Sequence, residues 1–197
     1  MNHKIAKILK TYLEDLTWAD KIAGLTQVLR VNQSEGDVKT EKRIPISCDI
    51  SYDNCQQGCY DELVPNSNYR SIIYFEDGSF SFTHSQGKKK YYESRLRLVC
   101  WLNYTKMPGG CGSSGDYVID IIKAFPAYPV NLTDMLAFNV EVISQQPRSV
   151  NIFGQYSYNE FQTQYLMLPY DFFALDLRTT FYIISECVEP ESGCLEC

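Results

Sequence analysis

The feature of this sequence that most constrains its fold is a long alternating segment, YYESRLRLVCWLNY, at residues 91–104. In an extended chain, one face of this segment carries Leu96, Leu98, Cys100 and Leu102. The other face carries Arg95, Arg97, Val99 and Trp101. Because a period of two residues is the repeat of a β-strand, the segment predicts one strand long enough to project beyond the core or to bend across two sheets.

Four other segments have strand-like patterns. Residues 43–50 alternate through Ile44, Ile46, Cys48 and Ile50. The run RSIIYFEDGSFSFTHS predicts a hairpin whose turn is Asp77-Gly78. FNVEVIS predicts a further strand, and YDFFALDLRTTFYIIS predicts the last one. In this last strand, one face would hold Phe173, Leu175, Leu177 and Thr179, and the opposite face Phe172, Asp176, Arg178 and Thr180.

Two segments have helical periodicity. Near the N-terminus, apolar residues recur at spacings of three and four: Ile5, Ile8, Leu9, Tyr12, Leu13 and Leu16. Asn2 is a candidate N-cap for this helix. A central helix would be capped by Ser114 or Asp116 and would bury Val118, Ile121, Ile122 and Phe125. Residues 22–31 are compatible with helix or strand, and the polar residues 32–42 predict a loop.

Together these patterns predict an α+β fold with a mostly antiparallel sheet, a long β-hairpin arm, an N-terminal helix and one central helix packed on the sheet. The chain has 197 residues, which suits a single domain over residues 1–197. The hairpin would span residues 69–104, and an irregular insertion would span residues 147–168.

The charge and hydropathy of the chain exclude some partners. Eighteen basic and twenty-four acidic side chains give a net charge of −6, which does not favour binding to a nucleic-acid backbone. Lys88, Lys89 and Lys90 form a dense basic run, which we interpret as a solvated hairpin tip. No apolar stretch approaches the length of a membrane span, so no membrane partner is expected. The N-terminal residues lack signal-peptide features, so we expect a protein made and kept in a cytoplasm.

Catalytic patterns are weak, and no enzyme activity is expected. The two histidines, His3 and His84, lie in no catalytic motif. Cys111 lies in a small-residue loop, GGCGSSG, but no general base can be assigned to it. Asp171 and Asp176 would lie on opposite faces of their strand, which argues against joint acid–base work.

The eight cysteines are the remaining candidates for a site. Cys48 and Cys100 fall on apolar faces and are most simply core residues. Two close pairs are left, Cys55 with Cys59 and Cys194 with Cys197. Four thiolates from two such pairs suit a structural tetrahedral zinc ion that would join the C-terminal residues to an early loop. The alternatives are thiols without a ligand and, least favoured in a reducing cytoplasm, disulfides.

The last strand carries a resemblance to a known group of proteins. PYDFFALDLRTTFYI, together with KRIPISCDI, RLRLVCWLNY and the leading helix, resembles the small neck and tail-ring proteins of tailed bacteriophages. These include head-to-tail connector and tail-terminator proteins, and more specifically a ring component of crAss-like phages. The matching residues of the last strand are Pro169, Tyr170, Asp171, Phe173, Asp176 and Leu177.

The resemblance implies a structural virion protein without catalytic residues or cofactor. Its subunits would form a homo-oligomeric ring between the portal and other neck and tail proteins. DNA would pass through the lumen without specific binding during ejection, and the ring would be assembled in the host bacterial cytoplasm. The fifteen tyrosines and the long arm are plausible interface material in such a ring. The alternative function is a cytoplasmic, zinc-stabilised binding or adaptor domain without catalytic activity.

Overall fold

The computed structural model describes residues 1–35, 38–47, 60–107, 113–130, 136–147, 149–157 and 163–184. Within these ranges the helices are α1 (Asn2–Leu13), α2 (Ser114–Ala124), α3 (Ser149–Phe153) and a 3-10 turn (Gln164–Leu166). The strands are β1 (Lys21–Leu25), β2 (Gln27–Glu35), β3 (Val38–Ser47), β4 (Asp61–Glu62), β5 (Ser71–Gln86), β6 (Lys89–Asn103), β7 (Leu136–Gln146) and β8 (Tyr170–Ile184). The predicted α+β class is confirmed.

The described strands form two sheets. The main sheet has the order β1-β5-β6-β8-β7, in which β1 and β5 are parallel and all other neighbours are antiparallel. The second sheet has the order β2-β3-β4. Strand β6 pairs with β8 along its whole length, from Lys89 opposite Ile184 to Asn103 opposite Tyr170. The predicted long hairpin is therefore present as β5 and β6, and β8 adds a third strand along the whole length of β6.

One face of the main sheet is covered by α1 and α2, as predicted. The side chains of Leu96, Leu98, Cys100 and Leu102 in β6 and of Phe173, Leu175 and Leu177 in β8 are at most 2% exposed. They pack with Ile5, Leu9 and Leu13 of α1 and with Ile121 of α2. The alternation of apolar residues in the sequence therefore identified this face correctly, because side chains two positions apart share a face of a strand.

The opposite face is covered by the chain between β7 and β8. Ile152 and Phe153 of α3 pack with Tyr156 and Tyr165 against a second apolar cluster, which includes Ile72, Tyr74, Val99, Trp101 and Ala174. The indole Nε1 of Trp101 donates a hydrogen bond of 2.7 Å to the carbonyl oxygen of Tyr165. This segment was predicted only as irregular, and its described residues close the second face of the sheet.

The predicted turn at Asp77-Gly78 is wrong, because β5 continues through it to Gln86. Asp77 pairs with Leu96 and Phe80 with Ser94, so the strand gains a β-bulge between them. The backbone turn lies at Gly87, whose φ of 60° is readily adopted only by glycine and a few polar residues. Strand-like residues on each side of Asp77-Gly78 resemble the two strands of a hairpin. In the structure they form one continuous strand, because β5 pairs with β6 along its whole length.

Four other local predictions also need correction. Residues 32–35 and 38–42 are strand and not loop, since their backbones pair in the β2–β3 hairpin. Asn2 lies inside α1 and is not its N-cap, which is Met1. The N-cap of α2 is Ser113, whose Oγ accepts from the backbone N–H of Gly115. In the same helix Val118, Ile121 and Phe125 are buried as expected, but Ile122 is 46% exposed.

Candidate functional site

The main sheet extends beyond its helical cover, and this extension is the candidate site. We call it the distal ribbon: residues 80–86 of β5, 89–94 of β6 and 179–184 of β8. Helix α1 begins at the inner end of the ribbon. There the side-chain amide of Asn2 donates to Asp77 Oδ1 at 2.6 Å and its Oδ1 accepts from Ser94 Oγ at 2.6 Å. The ribbon projects about 17 Å from that point, at about 3.3 Å per residue.

Aromatic side chains line the face of the distal ribbon that continues the α1-covered face. Phe80 stacks on Tyr92 with ring centroids 5.4 Å apart, and Tyr92 stacks on Phe181 at 5.7 Å. Phe82 meets the edge of Tyr92 at 5.8 Å. Phe181 is 2% exposed, whereas Phe80 and Phe82 are 44% and 55% exposed. Two large rings are thus held in fixed positions by their neighbours while much of their apolar surface faces solvent.

The opposite face of the distal ribbon carries a second aromatic row. His84 stacks on Tyr91 at 4.4 Å, and Tyr91 lies 5.4 Å from Tyr182. The ammonium group of Lys89 lies 4.5 Å from the centre of the Tyr182 ring, within the range of a cation–π contact. These contacts stiffen the ribbon, so that it can present its surface without a large loss of conformational entropy on binding.

The outer edge of β5 along the ribbon has no neighbouring strand among the described residues. β1 pairs only with Ile72, Ile73 and Phe75 of β5. Bulges between Asp77 and Phe80 and between Phe82 and His84 interrupt this edge. Because bulges disturb the ladder of backbone donors and acceptors, they limit strand addition at this edge. The ribbon is therefore better suited to binding through its side chains than through its backbone.

A polar cleft of about 670 Å³ lies on the α3-covered face, at the inner end of the ribbon. Glu76 is 8% exposed, and its Oε1 accepts from Gln155 Nε2 at 2.6 Å and from Tyr156 Oη at 2.7 Å. Burial raises the pKa of Glu76, although both hydrogen bonds and Arg97 oppose the shift. The cleft thus contains a buried carboxyl group that joins β5 to the segment following α3.

The second carboxylate of the cleft is Asp176. Its Oδ1 accepts from Arg97 Nε at 2.8 Å, and its Oδ2 accepts from Ser144 Oγ at 2.6 Å. Arg97 also donates to the carbonyl oxygen of Asn151 at 3.2 Å. Burial opposes ionisation of Asp176, but the bonds from Ser144 and Arg97 outweigh it and lower its pKa. These bonds connect β6, β7, β8 and α3, which gives the cluster an evident structural role.

The candidate zinc ligands Cys55, Cys59, Cys194 and Cys197 lie outside the described residues, as do Cys48 and Cys111. Cys100 is fully buried in the core, and burial raises the pKa of its thiol well above the usual range. Within the described ranges, no group of three or more His, Cys, Asp or Glu side chains is placed to hold a metal ion. In those same ranges, no helix is long and apolar enough to cross a membrane.

The residues that carry the resemblance in β8 have structural partners. Tyr170 stacks on Trp101 at 5.3 Å, Phe173 is buried in the core, and Asp171 accepts from Tyr104 Oη at 2.7 Å. Asp171 and Asp176 lie on opposite faces of β8, as predicted. Asp171 is opposite Leu102 and Asp176 is opposite Arg97, and these two residues of β6 are on different faces of the sheet.

Sequence reasoning missed the distal ribbon's exposed rings and the cluster of Glu76, Arg97 and Asp176. Alternation at a spacing of two would have placed Phe80 and Phe82 on the same face as Ile72 and Tyr74, and the β-bulge between Asp77 and Phe80 moves both rings to the α1-covered face. The ion pair had no local signal, because it depends on the register that places Arg97 opposite Asp176. No known protein family and no curated protein matches the chain significantly.

Proposed function

We propose that this protein is a structural, non-enzymatic subunit of the neck of a tailed bacteriophage. Its copies would form a ring between the portal and the tail, and DNA would pass through the lumen of that ring during ejection. The ring would be assembled in the bacterial cytoplasm and retained in the virion. The observation that carries the proposal is the distal ribbon, together with the resemblance of β8 and its neighbouring segments to phage ring proteins.

The ribbon supports this function because it exceeds what the core of one subunit needs. Residues 77–86 of β5 are all exposed, whereas residues 71–76 of the same strand are all buried. Two exposed phenylalanines on a projecting strand segment keep apolar surface in water, which is unfavourable, and a partner that covers them removes this free-energy cost. In a ring, each subunit offers such a projection to the next one in a head-to-tail contact.

The net charge of −6 supports the conduit part of the proposal. A lumen with a surplus of carboxylates repels the phosphate backbone, so passing DNA is not retained on the wall. Specific recognition of DNA would require clustered cations instead. Three of the arginines in the described part of the chain, Arg95, Arg97 and Arg178, each form an ion pair with a carboxylate of the same chain.

Electron microscopy and native mass spectrometry of the purified chain, alone and with a portal protein, test the proposal. We expect closed rings of one defined stoichiometry. The double variant Phe80→Ser, Phe82→Ser should shift the population to monomers under conditions where circular dichroism shows it to be folded; because both rings are about half covered and contact Tyr92, the variant should also lose some free energy of unfolding. Tyr128→Ser is the matched control, since Tyr128 is 80% exposed and lies outside the ribbon. A chain that stays monomeric under all these conditions would contradict the proposal.

A further inference from the structure

We infer that the basic tip of the distal ribbon docks on a second copy of this chain, in the hollow between α1 and α2. This inference rests on the proposed ring function and names the two surfaces that meet. The tip consists of the turn at Gly87 and of Lys88, Lys89 and Lys90, which are all exposed. The next acidic residue along β6 is Glu93, so the tip is a compact patch of three positive charges.

The acceptor hollow has a volume of about 340 Å³ and lies at the C-terminal end of α1. Its apolar part is formed by Tyr12 and Leu16 of α1 and its extension and by Ala124 of α2, and its carboxylates are Asp15 and Asp120. Among the described residues that line it, Lys123 is the basic one. Asp120 accepts a hydrogen bond of 3.2 Å from Trp18 Nε1, so it is held in place at the wall of the hollow.

The surroundings of the hollow add negative charge and apolar surface. Glu14 is exposed at the end of α1, and Asp116 is exposed in the first turn of α2. Lys10 in the last turn of α1 is the nearest basic residue along that helix. On the exposed side of α2, Ile119 and Ile122 are 49% and 46% exposed. The acceptor thus combines carboxylates with apolar surface, whereas the ribbon combines lysines with exposed phenylalanines.

The two surfaces cannot meet within one chain. Trp18, which donates to Asp120 of the hollow, also accepts a hydrogen bond from Ser71 Oγ at its carbonyl oxygen. Ser71 pairs with Leu102, so the hollow lies near the end of β6 that is opposite the tip. Lys89 and Asn103 are the first and last residues of β6, so about 46 Å separates the two ends of the strand at about 3.3 Å per residue. A second copy is therefore the occupant whose charge and apolar pattern fit the hollow.

This contact joins different surfaces of two identical subunits, so it is heterologous. Such a contact repeats from one copy to the next and closes into a ring when the rotation per subunit divides a full turn. Charge complementarity would bring the tip to the acceptor and set its orientation, while the phenylalanines would bury apolar area against Tyr12 and Leu16. Because the lysines and carboxylates are at the rim, the contact should weaken as salt concentration rises.

Charge reversal with rescue tests the inference. The tip variant is K88E/K90E and the acceptor variant is E14K/D15K. We expect each to raise the dissociation constant of self-assembly roughly tenfold to a hundredfold, because attraction between the patches is replaced by repulsion. The quadruple variant, which reverses both surfaces, should recover assembly close to that of the wild type. Assembly would be measured by light scattering over a range of protein and salt concentrations.

The control variant is K4E/K7E, which changes the net charge as much as K88E/K90E and alters two exposed lysines of α1. It should assemble as the wild type does. Positive charge near a helix C-terminus and negative charge in a first turn both favour a helix, so E14K/D15K and K4E/K7E should fold normally. Circular dichroism and urea unfolding of each variant would verify this.

The outcomes separate the docking from the ring function. If the wild type forms rings and either reversal leaves assembly unchanged, the docking contact is wrong and the ring function stands. Failure of the quadruple variant to regain assembly would likewise mean that the tip binds elsewhere. If the wild type forms no oligomer even with a portal protein, both the ring function and the docking contact are wrong.

Discussion

Gly78 provides the sharpest test of the β5–β6 pairing. It lies in the β-bulge that replaces the turn suggested by Asp77-Gly78, where the backbone of β6 comes very close. A Cβ atom added at Gly78 would lie 2.4 Å from the carbonyl oxygen of Arg95 and 2.9 Å from its carbonyl carbon. Because these atoms belong to the backbone, they cannot rotate away as the end of a side chain can. We therefore expect Gly78→Ala to destabilise the protein.

The magnitude follows from the displacement required. Ordinary contact of a Cβ atom begins near 3.4 Å, so β5 and β6 would have to separate by about 1.0 Å at this point. Forcing extra atoms into a packed structure costs about 1–3 kcal/mol of unfolding free energy. For a domain of this size each kcal/mol lowers the melting temperature by about 2–4 °C. The expected fall in melting temperature is therefore about 2–12 °C.

Urea and thermal unfolding, followed by circular dichroism, would measure the effect. Ser79→Ala is the matched control, since Ser79 is the exposed neighbour of Gly78 and its substitution changes side-chain size in the same strand. Gly87→Asn is a second control, because Gly87 has positive φ but nothing within 4 Å of an added Cβ, and asparagine tolerates this conformation. Both controls should unfold near the wild-type midpoint. If Gly78→Ala does the same, the bulge and its register are wrong.

Two further predictions concern the α3-covered face. Trp101→Phe should lower the free energy of unfolding by about 1–3 kcal/mol, because the buried carbonyl oxygen of Tyr165 loses its donor; a urea midpoint equal to that of the wild type would contradict this. Burial raises the pKa of Glu76, so between the unfolded and folded pKa values the folded state keeps a proton that the unfolded chain releases. The free energy of unfolding should therefore fall as pH rises from about 4.3, the pKa of an unperturbed glutamate, through the raised pKa of the folded state. Glu76→Gln keeps the acceptor oxygen for Gln155 and Tyr156 and should remove this slope in urea midpoints measured against pH; an equal slope in both proteins would refute it.

The local pattern of the sequence was sufficient for most of the secondary structure. The two faces of β6 and β8 and the buried side of α1 follow directly from periods of two and of three to four residues. Polarity alone misled over residues 32–42, because backbone pairing between two neighbouring strands does not require apolar side chains. Short helices such as α3 carry too few residues for a period to be recognised.

The candidate site was mostly beyond the reach of sequence reasoning. Phe80 and Phe82 continue an apolar face, and whether that face is covered depends on where α1 begins along the sheet. The start of α1 is held on the sheet by Asn2, whose side chain is hydrogen-bonded to Asp77 and Ser94. These partners are 75 and 92 positions away in the sequence. No local pattern encodes a contact over such a separation.

Periods of two and of three to four residues in the sequence were enough to identify β6, β8, α1 and α2 and the side chains that share a face in each, because such periods are properties of a few neighbouring residues. Only the tertiary structure decided that Asp77-Gly78 is a bulge, that Arg97 meets Asp176, and that the tip of the ribbon and the acidic hollow lie at opposite ends. Each of these depends on the register between strands distant in sequence. Register is chosen by the total energy of pairing and burial along whole strands, and a single alternating pattern is compatible with several alignments.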